Sequence, residues 1–292
     1  MNHNIPILSM LFLSLMACNQ KEELADAYGN FEANEIMVSA ESGGKILSFL
    51  PEEGEMLNRD EVSVLLDTVQ LNLKKEGLES GFASLGSRIL TLDAQLHASR
   101  VQLDNLVREQ DRLLKLVEGG AATTKQLDDI NGQVALLEAQ MAATASQKES
   151  VYAEKETLEV QISQVEDQLE RCRVINPIDG VLLTKYREQG ELVAPGQPLF
   201  KMARLDQLIL RAYVSGDQLA SVTLGQELTV RYDRDGGLVE VPGKVSWISS
   251  SAEFTPKIIQ TREERVSLVY AIKVVVPNDG SLKIGMPGEL AF

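Results

Sequence analysis

Apolar residues in the middle of the chain recur at alternating spacings of three and four. The pattern runs over 71–117 and is repeated on a return limb over 127–169. Such an alternation, sustained for about seven heptads, is typical of a coiled coil. Gly119-Gly120 interrupts it, as glycine does at a helix end. The pattern therefore predicts an antiparallel coiled-coil α-hairpin over 69–170, with its tip at about 118–124.

Polar residues occupy several positions of this seam. They are Lys75, Ser99 and Gln110 on the first limb and Thr144, Lys148 and Lys155 on the second. Polar seam residues commonly fix the register of two helices at some cost in stability. At 1.5 Å per residue, a limb of about 47 residues is about 70 Å long. A rod of that length cannot fold back onto a small domain, so we expect the hairpin to project.

The β-rich segments on either side of the hairpin repeat each other. Residues 44–65 and 180–200 share short β-rich runs and two glycines ten positions apart, at an offset of 136 residues. Glycine there supplies the positive φ of tight turns. Each copy is too small to bury a core alone. The repeat predicts that two β-halves, 35–68 and 171–205, pack face to face into one domain.

The segment 206–292 contains further short strands. Leu228, Val230 and Tyr232 alternate with polar residues, which is the period of a half-buried strand, and glycine-containing turns separate the runs. About 85 residues of short strands suit a small barrel. The predicted fold class is therefore α+β and multidomain, with an interrupted β-domain, a long helical hairpin and a small C-terminal β-barrel.

The first residues are typical of a secreted lipoprotein. Residues 5–17 are almost wholly apolar, too short to span a bilayer but long enough for the core of a signal peptide. Leu15-Met16-Ala17-Cys18, followed by polar residues, resembles a bacterial lipobox, whose cysteine is acylated and becomes the mature N-terminus. This predicts a signal peptide over 1–17, a lipid anchor on Cys18 and a linker over 18–34. An ordinary secretory signal with a chance cysteine is the alternative.

The formal net charge of −15 limits the partners of this chain. Nucleic-acid affinity comes largely from Lys and Arg that neutralise phosphates, so the charge argues against a nucleic-acid partner. Acidity also keeps a protein away from anionic lipid headgroups, so membrane attachment needs an anchor. His3 and His97 are the only histidines, and His3 leaves with the signal peptide. A zinc site or a His-based catalytic triad is therefore not expected.

Other reactive groups have ordinary structural explanations. Cys172 lies between two arginines, a setting that can activate a thiol, but a buried strand residue is the simpler interpretation. Asp179, Glu188 and Glu191 adjoin glycines in turns, where carboxylates are usually solvated. We expect no catalytic site, no cofactor and no metal.

The order of these segments resembles the HlyD-type periplasmic adaptor, or membrane fusion, family over essentially the whole mature chain. The stretch 175–199 looks like the second half of that family's lipoyl-like (barrel-sandwich hybrid) domain. The stretches 253–265 and 285–288 are similar to the barrel of adaptors that serve ABC transporters. In true lipoyl carriers the modified lysine lies on the turn between the halves, which the hairpin replaces here. Lys185 therefore has no claim to that role.

A further part of the resemblance lies at the hairpin tip. In the family, an Arg, a Leu four residues later and a Ser seven residues beyond it form the tip that meets the outer-membrane channel. Arg112, Leu116 and Thr123 match this spacing, with Thr in place of Ser. The hydroxyl is kept and a methyl is added, so hydrogen bonding can survive. In the alternative interpretation, Arg112 is a solvated helix charge and Leu116 packs at the seam edge.

The resemblance implies a non-catalytic periplasmic subunit of a tripartite export pump in a Gram-negative bacterium. The chain would link an inner-membrane transporter to an outer-membrane TolC-like channel as a homo-oligomer, with hexamers implied by the family. Cys18 would anchor it, in the inner membrane. Adaptors of RND pumps usually continue into a further membrane-proximal domain, whereas this chain ends at Phe292. The expected transporter is therefore of the ABC type.

Two other functions remain open at this stage. The chain could serve an RND or MFS efflux pump, or it could be a coiled-coil lipoprotein scaffold unrelated to export, with an accidental repeat. Gln20-Lys21-Glu22-Glu23 also resembles the acidic export signals of some surface lipoproteins. That destination would not suit an adaptor docked on the inner membrane.

Overall fold

The structure is a computed structural model that describes residues 25–234, 236–254 and 268–292. It is α+β, as predicted, and it divides into two compact units. One unit, Met37–Met202, contains the helical hairpin with β-strands on both sides of it. The other unit combines the residues up to Ile36 with Ala203–Phe292.

The described residues form the following elements in chain order. The first part comprises β1 (Ala27–Glu32), β2 (Glu35–Ser39), β3 (Gly44–Phe49), β4 (Met56–Leu57), β5 (Val62–Leu66), α1 (Val69–Glu118) and α2 (Thr124–Glu170). There follow β6 (Arg173–Ile175), β7 (Gly180–Lys185), β8 (Leu192–Val193), β9 (Pro198–Ala203), β10 (Gln207–Ser215) and α3 (Gly216–Leu219). The last are β11 (Glu227–Arg234), β12 (Gly237–Ile248), β13 (Glu253–Phe254), β14 (Leu268–Pro277) and β15 (Pro287–Ala291).

Strands β2 to β9 form two four-stranded sheets, which together are called the two-sheet domain below. The strand orders are β2-β9-β7-β4 and β6-β5-β3-β8, so each sheet takes two strands from each side of the hairpin. Strands β3, β4 and β5 correspond to β7, β8 and β9 at the offset of 136 residues. The pairing corresponds as well, because Lys45 faces Leu192 in one sheet and Val181 faces Met56 in the other. The split repeat is a pseudo-twofold pair of halves that exchange strands.

Two turns in each half have a left-handed residue. Gly54 has a φ of 89° and its counterpart Gly190 has a φ of 95°, as the repeat predicted. At the next turn the second half has Gly196 with a φ of 84°, whereas the first half places Asp60 there with a φ of 62°. Aspartate is one of the few residues with a Cβ that visits this region, because its short polar side chain bonds locally.

A buried polar cluster joins the two halves. Asn176 is fully buried, and its side chain donates to the carbonyl of Asn58 at 3.0 Å and accepts from the hydroxyl of Ser63. Its backbone N–H donates to the carbonyl of Glu61, and its carbonyl accepts from the N–H of Asp60, both at 2.9 Å. One residue of the second half therefore forms hydrogen bonds with four residues in and beside one turn of the first half.

Helices α1 and α2 form the predicted hairpin and cover the residues of the heptad pattern. The apolar residues at seam spacing are buried or half-buried along both limbs. Two of the seam clusters are Ile89, Leu92 and Val151, and Leu103, Val134 and Leu137. Their membership fixes the register, because Leu92 shares a cluster with Val151.

Four of the six polar seam residues named in the sequence contact the opposite limb. The cross-limb pairs are Lys75 with Glu166 at 2.7 Å, Lys148 with Asp93, and Gln110 with Asn131 at 2.7 Å. Lys155 places its Nζ 4.4 Å from the centroid of the Phe82 ring on the other limb. The hydrogen bond to its carboxylate partner raises the pKa of Lys75 and that of Lys148 above the ordinary value. Both ammonium groups therefore stay charged in the seam.

The second unit, called the C-terminal β-domain below, is built on a closed cycle of strands. The order is β10-β1-β15-β11-β12-β14, with β14 pairing back onto β10, and β13 adds to β14. Its core includes Phe31, Leu210, Val230, Val274 and Leu290. These side chains alternate with exposed or half-buried neighbours along their strands, as the period of two predicted for this segment.

Strand β1 corrects the prediction of a linker over 18–34. It pairs with both β10 and β15, and Phe31 in it is fully buried in the core. The sequence conceals this strand because Gly29 and Asn30, two residue types that are depleted in strands, lie in its middle. Here glycine is required by a close approach of two backbones, since a Cβ on Gly29 would lie 2.0 Å from the carbonyl oxygen of Arg211.

Replacement of Asn176 should destabilise the two-sheet domain. We expect Asn176→Ala to cost about 2–3 kcal/mol, because the Ser63 hydroxyl and the Asn58 carbonyl lose their buried partner. Amide hydrogen exchange in β5 and β6 should then become about 30- to 150-fold faster. Asn105→Ala, on the exposed face of α1, is the matched control and should change these rates less than about twofold. Wild-type exchange rates in Asn176→Ala would contradict a structural role for the cluster.

Candidate docking site at the hairpin tip

Helix α1 ends in a Schellman motif. Gly120 has a φ of 73°, and its N–H donates to the carbonyl of Val117 at 3.0 Å. The N–H of Ala121 reaches back to the carbonyl of Leu116 at 2.7 Å. These two bonds satisfy carbonyls that a helix end otherwise leaves without partners. Gly119-Gly120 therefore ends the helix at a defined residue, as the sequence predicted.

Helix α2 begins with a capping box at Thr123. The Thr123 hydroxyl oxygen accepts from the N–H of Gln126 at 3.4 Å. In return the Gln126 side-chain oxygen accepts from the N–H of Thr123 at 2.9 Å and from its hydroxyl at 3.0 Å. The sequence analysis missed Gln126, although Thr-x-x-Gln before an amphipathic helix is a recognised start signal. The five residues 119–123 are thus held from both sides.

Arg112 and Leu116 lie one turn apart on α1, so their side chains share a face of that helix. The Arg112 side chain is 71% exposed, and its Nη2 lies 3.5 Å from a carboxylate oxygen of Glu109, one turn earlier. Leu116 is 38% exposed. Six residues separate Arg112 from the end of the helix, which is about 9 Å of rise. The surface combines a cation with a small apolar area.

The hydrogen bonds of the tip limit what a partner can offer. A guanidinium has five donors and no acceptor, so a partner of Arg112 must supply carboxylate or carbonyl oxygens. The Thr123 hydroxyl already donates its proton to Gln126 and accepts from the N–H of the same residue. A hydroxyl has one proton and two lone pairs, so a partner can only donate to Thr123. The geometry therefore fits an acceptor beside Arg112, an apolar contact at Leu116 and a donor at Thr123.

The other polar groups singled out in the sequence have structural partners. The Lys185 side chain is 8% exposed and lies between Glu52 at 3.4 Å and Glu188 at 3.3 Å. Asp179 accepts from the N–H of Arg59 at 2.8 Å, and Glu191 pairs with Arg187 at 3.5 Å. Lys185 also lies over the ring of Phe49, 4.6 Å from its centroid. Each group contributes to the packing of a turn.

Cys172 is fully buried, as predicted, but in the turn between α2 and β6 rather than within a strand. Its Sγ donates to the carbonyl of Gln168 at 3.3 Å and lies 3.5 Å from the hydroxyl of Ser42. Arg171 beside it instead faces Asp167 at 2.8 Å and Glu41 at 3.2 Å, which ties the end of α2 to the two-sheet domain.

Several predictions fall outside these observations. Cys18 and the signal peptide lie outside the described residues, as do residues 255–267, which include most of the stretch 253–265 that is similar to the adaptor barrels. Within the described ranges, no helix is long and apolar enough to cross a bilayer. Over the same ranges, no group of three or more His, Cys, Asp and Glu side chains is placed to hold a metal ion.

No protein-family model matches the chain, but curated relatives cover all of it. A UPF0194 membrane protein of Acidithiobacillus ferridurans is 26% identical over 91% of this chain and 86% of its own length. The UPF0194 membrane protein YE2891 of Yersinia enterocolitica is 25% identical over 100% of this chain and 99% of its own length. A UPF0194 membrane protein of Citrobacter koseri is 35% identical, but over 44% of this chain and 39% of its own.

Solved structures share the fold. MacA from Actinobacillus actinomycetemcomitans superposes with a TM-score of 0.61 at 19% identity, over 91% of this chain and 78% of its own. The periplasmic adaptor protein EmrA superposes with a TM-score of 0.50 at 16% identity, over 91% of this chain and 97% of its own. At these identities the likeness establishes the fold alone. The chain has the fold of the membrane fusion, or periplasmic adaptor, proteins, and the resemblance seen in its sequence is confirmed.

The capping box at the tip gives a direct test of the local geometry. Thr123→Val removes the hydroxyl, so the first turn of α2 should lose about 1 kcal/mol. Amide exchange at Gln126 should then be about fivefold faster, whereas Thr123→Ser, which keeps the hydroxyl, should exchange like the wild type. If the valine and serine variants exchange at equal rates, the side-chain cap contributes nothing to the tip.

Proposed function

We propose that this chain is the periplasmic adaptor subunit of a tripartite export pump, non-catalytic, and that the hairpin tip docks onto an outer-membrane TolC-like channel. The observation that carries the proposal is the exposed face of Arg112 and Leu116 at the distal end of a hairpin whose register is fixed along its length. A solvated helix charge does not require a hairpin of fixed register. A docking surface does require one, because the position of the surface relative to its partner must be reproducible.

The domains fit the same role. We infer that the two-sheet domain is a lipoyl-like domain, since its halves exchange strands around a pseudo-twofold relation. The closed strand cycle of the C-terminal β-domain is inferred to be the small β-barrel of such adaptors. The transporter is proposed to be of the ABC type, on the similarity of Gly285-Met286-Pro287-Gly288 to the barrels of ABC adaptors. Copurification of the transporter from the native bacterium decides between this type and the RND and MFS types.

Attachment and assembly complete the proposal. Acyl chains on Cys18 hold the protein at the inner membrane, on the periplasmic side of a Gram-negative cell. A single acyl chain binds a bilayer only marginally, whereas the several chains of a lipoprotein hold firmly. Copies then surround the transporter as a ring, proposed to be a hexamer, and their tips converge on the channel. Closed rings require heterologous contacts between neighbours.

Reversal of the charge at the tip should abolish docking without affecting folding. An exposed helix charge contributes a few tenths of a kcal/mol to stability, so Arg112→Asp should keep the wild-type helix content in circular dichroism. At the interface, the same change sets a carboxylate against the acceptor that faced Arg112, which costs several kcal/mol. Recovery of the outer-membrane channel after in-cell crosslinking should therefore fall at least tenfold.

Arg108 provides the matched control. It lies one turn before Arg112, is also exposed, and donates a hydrogen bond to Asn105 on its own helix. Arg108→Asp should change channel recovery less than twofold. If Arg112→Asp recovers the channel as well as the wild type does, the assignment of the tip residues is wrong.

Lipidation of Cys18 is tested independently of transport. A lipobox cysteine is the acylated residue, so metabolic labelling with a radioactive fatty acid should mark the wild-type chain but not Cys18→Ala. The labelled wild type should sediment with membranes, and the alanine variant should shift to the soluble periplasmic fraction. A wild-type chain that takes up no label would show that Cys18 is a chance cysteine in an ordinary signal peptide, and equal labelling of the two chains would place the acyl group on another residue.

A further inference from the structure

The strand exchange leaves a pair of exposed or half-buried apolar side chains at one edge of each sheet. Strand β8 ends one sheet, and there Leu192 is 78% exposed and Leu47 on the neighbouring β3 is 42% exposed. Lys45 faces Leu192 across the strands. Leu47 lies two residues further along β3, at the irregularity between Ile46 and Ser48, and is exposed there. Leu47 and Leu192 are called patch A.

The second edge repeats the first. Strand β4 ends the other sheet, where Met56 is 63% exposed and Leu183 on the neighbouring β7 is half-buried. Met56 and Leu183 are called patch B, and the offset of 136 residues maps them onto Leu192 and Leu47. Exposed apolar side chains on an edge strand are a template for association unless something covers them. The chain carries two such edges of the same shape.

Charge distinguishes the two edges. At patch A, Lys45 is exposed and has no ion-pair partner among the described residues, and its counterpart at patch B is the apolar Val181. At patch B, the Glu55 carboxylate accepts only from the N–H of Glu52, at 3.0 Å, and no basic side chain in the described ranges pairs with it. Its counterpart at patch A, Glu191, is neutralised by an arginine. Patch A is therefore locally positive and patch B locally negative.

We propose that patch A of one copy docks onto patch B of a second copy of this chain. An A–A contact would bring two copies of Lys45 together and a B–B contact two copies of Glu55, whereas an A–B contact brings the opposite charges together. The contact is heterologous, so a pair of copies keeps one free patch A and one free patch B, to which further copies add until the rotation between neighbours closes a ring. The internal pseudo-twofold makes the apolar surfaces match, and the charges select the head-to-tail arrangement. The inference rests on the proposed function only in taking the ring as the working form.

Cysteine crosslinking between differently tagged chains tests the contact. Met56→Cys and Leu192→Cys are made separately in the full-length chain with two epitope tags, and they are expressed alone or together. The native Cys172 is buried and supplies no background. With a short bismaleimide on isolated membranes, the coexpressed pair should give a crosslinked dimer that carries both tags, and either variant alone should give at least tenfold less. Dimers from one variant alone, or none from the pair, would overturn the proposal.

A charge exchange tests the choice of arrangement. Lys45→Glu and Glu55→Lys, each placed in both crosslinking chains, should reduce the crosslinked fraction about tenfold, because each sets like charges against each other. The two changes combined should restore the fraction to within about twofold of the starting value. Failure of the combination to restore crosslinking would show that the charges do not meet.

This experiment separates the contact from the export function. Crosslinking requires neither transporter nor channel, so a protein with no role in export would still crosslink if patches A and B meet. Arg112→Asp, added to both chains, should leave the crosslinked fraction unchanged while it removes recovery of the channel. Loss of crosslinking with intact channel recovery would overturn the patches and leave the proposed function standing.

Discussion

Neither β-half of the two-sheet domain can complete a sheet alone, because each sheet takes two strands from each half. The halves are separated in sequence by both limbs of the hairpin, so the hairpin must return its chain to the point of departure before the domain can form. A pair of helices that slipped by one heptad would misplace β6 relative to β5. The two-sheet domain can therefore form only when the two helices pack in the correct register.

The polar seam residues show how that register is specified. Lys75 and Lys148 each find a carboxylate on the opposite limb, and a slipped hairpin would leave these ammonium groups among apolar side chains. Half-exposed ion pairs contribute little to stability, but an unpaired charge in the seam is costly. At the foot of the hairpin, Arg171 adds a contact to Glu41 of the first half. The pairs act mainly by excluding wrong alignments.

Sequence reasoning predicted the features that follow from a periodic pattern, and it failed where a residue is explained by one specific long-range contact. The heptads and the offset repeat predicted the seam and the two glycine turns, because period and φ are local properties. Sequence reasoning missed β1, because Gly29 in that strand is explained only by the nearby backbone of β10. It also missed the role of Asn176, because the hydrogen-bond partners of that side chain are more than a hundred residues away. Asp60 at the position of Gly196 shows the same limit, since a tolerated left-handed aspartate carries no distinctive pattern.

Because β1 belongs to the C-terminal β-domain, the number of residues between Cys18 and β1 limits the distance between Cys18 and this domain. Eight residues lie between Cys18 and Ala27, and a fully extended chain over these nine Cα–Cα steps spans at most about 30 Å. An acylated Cys18 would thus confine the first residue of β1 to a thin layer above the bilayer. A free linker up to residue 34 would have allowed roughly twice that distance. With Cys18 acylated, the position of one early strand would set how far this domain can rise from the bilayer.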